Sequence, residues 1–195
     1  MKKGKSKAKP ENIWNIPNTL TFSRVIITFV ILYCIFAGYS LTLVAVLFAI
    51  GMFTDFLDGQ IARRFKMTTE FGRQFDMIAD RFLMLGVTGA LIIDFAIQDS
   101  LSRDHLLQIF LTLSREIISF PFALVAIVFG KGLPHARFIG KLTTFLQGVT
   151  LPAILLSTQY PIFEFSIYLS WITGIVGAIS AFYYINDYRM LLESK

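Results

Sequence analysis

From Leu20 to Tyr184 the chain repeats one pattern six times: a long apolar run, then a short polar break. The runs are Leu20–Ala37, Leu41–Arg63, Phe75–Phe95, Leu106–Phe129, Phe138–Ser157 and Phe165–Tyr184. Stretches such as Val25-Ile26-Ile27-Thr28-Phe29-Val30-Ile31-Leu32 do not alternate, as strands of a membrane barrel must. Each run is long enough for a helix to cross a hydrocarbon core of about 30 Å. The pattern predicts an all-α fold, a polytopic membrane protein built as a six-transmembrane-helix bundle. Gly38-Tyr39-Ser40 predicts a tight turn, Arg64–Phe71 a short polar loop and Asp94–His105 a longer acidic one. Gly130–Arg137 and Ser157–Glu164, with Pro134 and Pro161, supply the remaining breaks. Residues 13–190 form one domain, between a basic tail over 1–12 and a short tail over 191–195.

Composition agrees. Hydrophobic residues make up 55% of the 195 and charged ones only 16%, against about 25% charged in a soluble domain. That excludes a disordered chain and argues against a soluble globule, while 20 Phe suit a surface solvated by lipid. Lys and Arg total 18 and Asp and Glu 13, and five of the lysines are Lys2, Lys3, Lys5, Lys7 and Lys9. Without those five, basic and acidic residues balance at 13 each. The tail reads as a juxtamembrane segment facing anionic lipid, not as a nucleic-acid arm, since no aromatics interleave it. No small-residue cleavage site follows the first apolar run, so the tail is not expected to be a secretory signal. Basic residues gather in the N-terminal tail, Arg64–Arg73, Gly130–Lys141 and Arg189–Lys195; the other connections hold only Arg103. Both termini are therefore expected in the cytoplasm, with Trp14, Tyr183 and Tyr184 as interfacial anchors. Cys34 reads as a small buried hydrophobe, and the isolated His105 and His135 give zinc no support.

Polar groups inside the apolar runs carry the chemistry, because charge at membrane depth is costly. Asp55 and Asp58 lie three apart near the end of the second run, and Asp76 and Asp80 four apart near the start of the third. Each pair shares a helix face. If the faces meet, four carboxylates converge at the cytoplasmic edge and need a divalent cation. Oxygen-only ligation suits Mg²⁺ or Mn²⁺, and two such ions suit phosphoryl transfer. Gly59 and Ala62 let a ligand approach the backbone, and Arg63 and Arg64 suit phosphate.

Asp55, Asp58, Gly59, Ala62, Arg63, Gly72, Asp76 and Asp80 form Asp-x₂-Asp-Gly-x₂-Ala-Arg-x₈-Gly-x₃-Asp-x₃-Asp. This pattern resembles the signature of the CDP-alcohol phosphotransferases. The resemblance implies that an alcohol attacks the β-phosphorus of a CDP-linked lipid and CMP leaves. It implies that Asp55, Asp58, Asp76 and Asp80 hold two metal ions and that Asp80 is the general base. It places Asn18, Thr21, Arg24, Gly59, Ala62, Arg63, Thr69 and Gly72 around the CDP-lipid. It further implies an active site facing the cytoplasm from the inner membrane, and a homodimer.

Three stretches resemble phosphatidylglycerophosphate synthases: Asn15-Ile16-Pro17-Asn18-x-Leu20-Thr21-x₂-Arg24, Arg115-Glu116-Ile117-Ile118 and Ile139-Gly140-Lys141-x-Thr143-Thr144. The acceptor they imply is glycerol 3-phosphate, its phosphate bound by Arg115 and Lys141. The chain departs from that subfamily at Met77, Arg81 and Ala123, where Pro, Lys and a second Arg are usual. Cardiolipin synthases, inositol-phosphate enzymes and archaeal ether-lipid enzymes stand as alternatives with the same chemistry. The non-enzyme alternatives are a metal-ion transporter, which needs polar groups through the outer half of the spans as well, and a membrane scaffold.

Overall fold

Gly38 takes a left-handed backbone, φ 73°, which glycine alone adopts without a Cβ penalty, and it turns the first helix into the second. The computed structural model describes residues 16–64, 70–98, 102–128 and 138–193, and the side chains of 16, 18–54, 72, 74–98, 102–125 and 138–190. These residues form α1 (Ile16–Phe36), α2 (Leu41–Arg64), α3 (Glu70–Ile97), α4 (Arg103–Val128), α5 (Phe138–Ser157) and α6 (Ser166–Glu193). A 3₁₀ turn, Pro161–Phe163, precedes α6. The expected acidic loop is shorter than predicted. Asp94 belongs to α3, where it accepts from the Gln98 amide at 2.8 Å, and Ser102 caps α4 by accepting from the His105 N–H at 3.1 Å.

Contacts between helices give their directions. Ile27 of α1 meets Gly51 of α2, so these two are antiparallel about the Gly38 turn. Along α3, Arg24 meets Asp76 and Thr28 meets Gly86, so α1 and α3 run the same way. Gln147 of α5 donates to the Thr112 carbonyl of α4 at 2.8 Å, and Arg115 reaches Thr144, an antiparallel pair. Ser166 of α6 meets Gln108, and Phe122 meets Tyr188, a parallel pair. Directions thus alternate along the chain. The N-terminal ends of α1, α3 and α5 lie with the C-terminal ends of α2, α4 and α6.

Polarity is distributed as in a protein solvated by lipid. Phe22, Ile26, Phe29, Tyr33 and Phe36 form an exposed stripe along α1, while Thr28, Gln108, Thr112, Gln147, Thr150, Ser170 and Thr173 are buried. The buried groups bond locally or to one another, as Thr150 and Thr173 do at 2.8 Å. Among the described residues four helical stretches are long and apolar enough to cross a membrane: Asn18–Phe36, Arg103–Val125, Phe138–Ser157 and Pro161–Met190. Six were predicted. Leu41–Thr54 of α2 is apolar but shorter, and α3 carries Asp80, Arg81 and Asp94 along its length.

Candidate active site

The sequence places Asp55, Asp58, Gly59, Ala62 and Arg63 on the last turns of α2, and the structure continues α2 through them to Arg64. Their side chains, and Thr69 as a whole, lie outside the described residues. Their level follows from the helix they belong to. Leu83 of α3 packs straight onto Gly51 of α2; a Cβ there would meet Leu83 Cδ2 at 3.2 Å. From that crossing, a rise of about 1.5 Å per residue puts Asp55 about 6 Å and Asp58 about 10 Å along α2. The same count puts Asp80 about 4 Å and Asp76 about 10 Å along antiparallel α3. The two acidic pairs therefore occupy one level at one end of the bundle.

The third-helix pair is held from α1. Arg24 is fully buried, and its guanidinium donates to Asp76 Oδ1 at 2.9 Å. The Thr21 hydroxyl bonds the same carboxylate. Asn18, one turn nearer the N-terminus, is also buried, as is Gly72. Thr21 and Arg24, which the family resemblance implied, thus meet Asp76 of the acidic motif, Arg24 across 52 positions of sequence. Asp76 keeps part of its surface, 43% exposed, so the pair lies at the rim of the site rather than sealed within it. Asp80, one turn further, has a buried Oδ1 with no hydrogen-bond partner among the described residues. A buried carboxylate oxygen left without a partner fits a hard divalent cation.

A second polar group lies behind the first. Arg115 of α4 donates to Thr144 Oγ1 of α5 at 2.8 Å, and Thr144 is one turn from Lys141, which is exposed. Arg115 also pairs with its neighbour Glu116 at 3.3 Å, and the second Glu116 oxygen is 3.7 Å from Arg81 Nε of α3. Glu116 and Arg81 are both buried, and Arg81 lies over the Phe120 ring at 5.8 Å. Sequence reasoning missed Arg81 and Glu116 as a bridge, although a carboxylate within an apolar run was a visible signal. It also took Tyr184 for an interfacial anchor. Instead the Tyr184 hydroxyl is buried beside Arg81, Arg115 and Glu116.

The apolar helix bundle is that of an integral membrane protein. A model of the CDP-alcohol phosphatidyltransferase family matches residues 14–179, and the chain belongs to that family. Such enzymes take a CDP-linked lipid as donor and an alcohol as acceptor, in the membrane, and generally depend on divalent metal. A CDP-diacylglycerol–glycerol-3-phosphate 3-phosphatidyltransferase of Rickettsia typhi is 34% identical over 172 residues, 86% of this chain and 89% of that one. The enzyme of the same name from Yersinia enterocolitica is 30% identical over 189 residues, 92% and 98% of the two chains. A probable cardiolipin synthase (CMP-forming) of Drosophila melanogaster is 44% identical over 92 residues, 47% of this chain and 27% of its own length.

Proposed function

We propose that the chain transfers a phosphatidyl group from CDP-diacylglycerol to glycerol 3-phosphate with release of CMP. The observation that carries the acceptor is Arg115, held against α5 one turn from Lys141 and at the edge where the carboxylates gather. The names of the relatives from Rickettsia and Yersinia, which span nearly the whole chain, support the same reading. Asn18, Thr21, Arg24, Gly59, Ala62, Arg63, Thr69 and Gly72 bind the CDP-lipid. Arg115 and Lys141 bind the phosphate of the acceptor.

Asp55, Asp58, Asp76 and Asp80 would hold two Mg²⁺ or Mn²⁺ ions, which supply charge neutralisation of the pyrophosphate. The acceptor oxygen bonds to the β-phosphorus, the bond from that phosphorus to the CMP oxygen breaks, and Asp80 takes the hydroxyl proton. Arg24 restrains Asp76 beside it. All six helices span the bilayer, with both termini and the site on the cytoplasmic side of the inner membrane. Residues 13–190 act as one catalytic domain. The enzyme works as a homodimer, which cross-linking in native membranes tests.

The test is a CMP-release assay on the purified protein with CDP-diacylglycerol and Mg²⁺ or Mn²⁺. Glycerol 3-phosphate, phosphatidylglycerol, inositol phosphate and an archaeal-type glycerol phosphate are offered in turn. Turnover with glycerol 3-phosphate alone is expected. Turnover with phosphatidylglycerol instead would move the chain to cardiolipin synthesis.

A further inference from the structure

Three buried hydroxyls on α4 and α6 take no part in the chemistry described so far. The Oγ of Ser119 and the hydroxyls of Tyr184 and Tyr188 are buried without a hydrogen-bond partner among the described residues. Ser119 and Tyr188 are almost wholly inaccessible, at 1% and 2% exposure. A native fold rarely leaves one such group unsatisfied, and three together need a reason.

Their placement supplies one. Ser119 is one turn beyond Arg115 and Glu116 on α4. Tyr184 and Tyr188 are one turn apart on α6, which brings both to the same face. Tyr184 lies within electrostatic reach of Arg81, Arg115, Glu116 and Tyr188. The Tyr188 ring packs edge-on against Phe122 of α4, centroids 6.1 Å apart, so its hydroxyl is held in place. Arg81 Nε also lacks a hydrogen-bond partner among the described residues. Among the described residues the group thus holds two guanidiniums against one carboxylate, with donors left over. Its complement is an anion with many acceptor oxygens and no need of acceptors in return, as in a phosphate monoester.

We propose that Tyr184 and Tyr188 are specificity-determining residues that donate their hydroxyls to the phosphate of the acceptor, beside Arg115. The inference rests on the reading of Arg115 as an acceptor-phosphate ligand. It adds α6 to the acceptor site and gives the unpartnered donors there an acceptor. An uncharged alcohol leaves the same donors unsatisfied and is disfavoured.

Steady-state kinetics of the purified full-length enzyme test it, with CDP-diacylglycerol and glycerol 3-phosphate varied separately. Tyr184→Phe and Tyr188→Phe should each raise KM for glycerol 3-phosphate about 10-fold, the loss of one hydrogen bond to a charged group. Both should keep kcat within about 3-fold and KM for the donor unchanged. Their unfolding temperature without substrate should be equal or higher, since an orphaned hydroxyl has been removed. Tyr168→Phe, exposed near the other end of α6, should change nothing. An unchanged acceptor KM in both tyrosine variants overturns the proposal, as does a rise in donor KM in its place. Arg115→Gln separates the two levels. If it raises acceptor KM while the tyrosine variants do not, only the tyrosine assignment falls; if it too has no effect, the reading of Arg115 falls and takes the tyrosines with it.

Discussion

Arg24 and Asp80 show how two charged residues near each other serve the site in different ways. Arg24 is fully buried and paired, so its removal strands Asp76. Breaking a buried pair costs about 3–5 kcal/mol, and the lower figure applies because Asp76 keeps solvent contact. Arg24→Gln should lower both thermal stability in detergent and CDP-lipid binding, read by a melting curve and an equilibrium binding assay. Asp80→Asn should leave the melting curve and donor binding nearly unchanged while reducing CMP release about 100- to 10,000-fold, the usual contribution of a general base. Near-normal turnover in Asp80→Asn would remove the base assignment. Spacing revealed Asp80, near the polar end of an otherwise apolar run, while Arg24 came from the family resemblance of its stretch. Spacing could not reveal that they converge on α3, since a motif relates positions along one helix and Arg24 belongs to another.

At the scale of the helix, glycine decides how closely neighbours approach. A Cβ at Gly174 would meet Leu111 side-chain atoms at 3.1 and 3.2 Å and its backbone oxygen at 3.3 Å. At Gly177 it would meet Ser114 Oγ at 3.0 Å. These two glycines, one turn apart, form the seam between α4 and α6, and α6 must stay close for its tyrosines to reach Arg115. At Gly89 a Cβ would meet nothing within 4 Å. Gly174→Val should therefore destabilise by about 1–3 kcal/mol through overpacking. Gly89→Ala should be neutral or stabilising by about 0.5–1 kcal/mol through helix propensity. Thermal unfolding of the two in one detergent checks the contrast. The existence of the six helices was legible because apolar runs with polar breaks are a strong signal. The cluster of Arg81, Glu116 and Tyr184 was not, because it draws one residue from each of three helices. A tyrosine near the end of a span also reads as an anchor until its helix is known to face inward.

Among the described residues the bundle exposes many apolar side chains around an apolar core with buried polar groups, and its ion pairs are weighted towards one end. Lys141 and Ile162 mark opposite ends of α5 and the turn after it, and both are exposed. On a Cys34→Ser background, Lys141→Cys should react with an impermeant maleimide only from the cytoplasmic side. Ile162→Cys should react only from the opposite side. The reverse pattern would invert the proposed orientation, and labelling of both from one side would contradict a membrane crossing between them.

The buried hydrogen bonds near the middle and far end of the bundle, Gln147 to Thr112, Thr150 to Thr173 and Ser166 to Gln108, join uncharged groups. Those at the site end, Arg24 to Asp76 and the Arg81–Glu116–Arg115 bridge, join charges. The first set is indifferent to ionic strength and to moderate acid, while the second can be screened where water reaches it. The bundle therefore has a clasp at one end and a loosening mouth at the other. Raising salt should increase amide exchange in the turn carrying Asp76, whose side chain is 43% exposed, before it does so around Thr150. A lipid with its tails in the bilayer and its head at the mouth would meet the end of the bundle that is held by charge pairs.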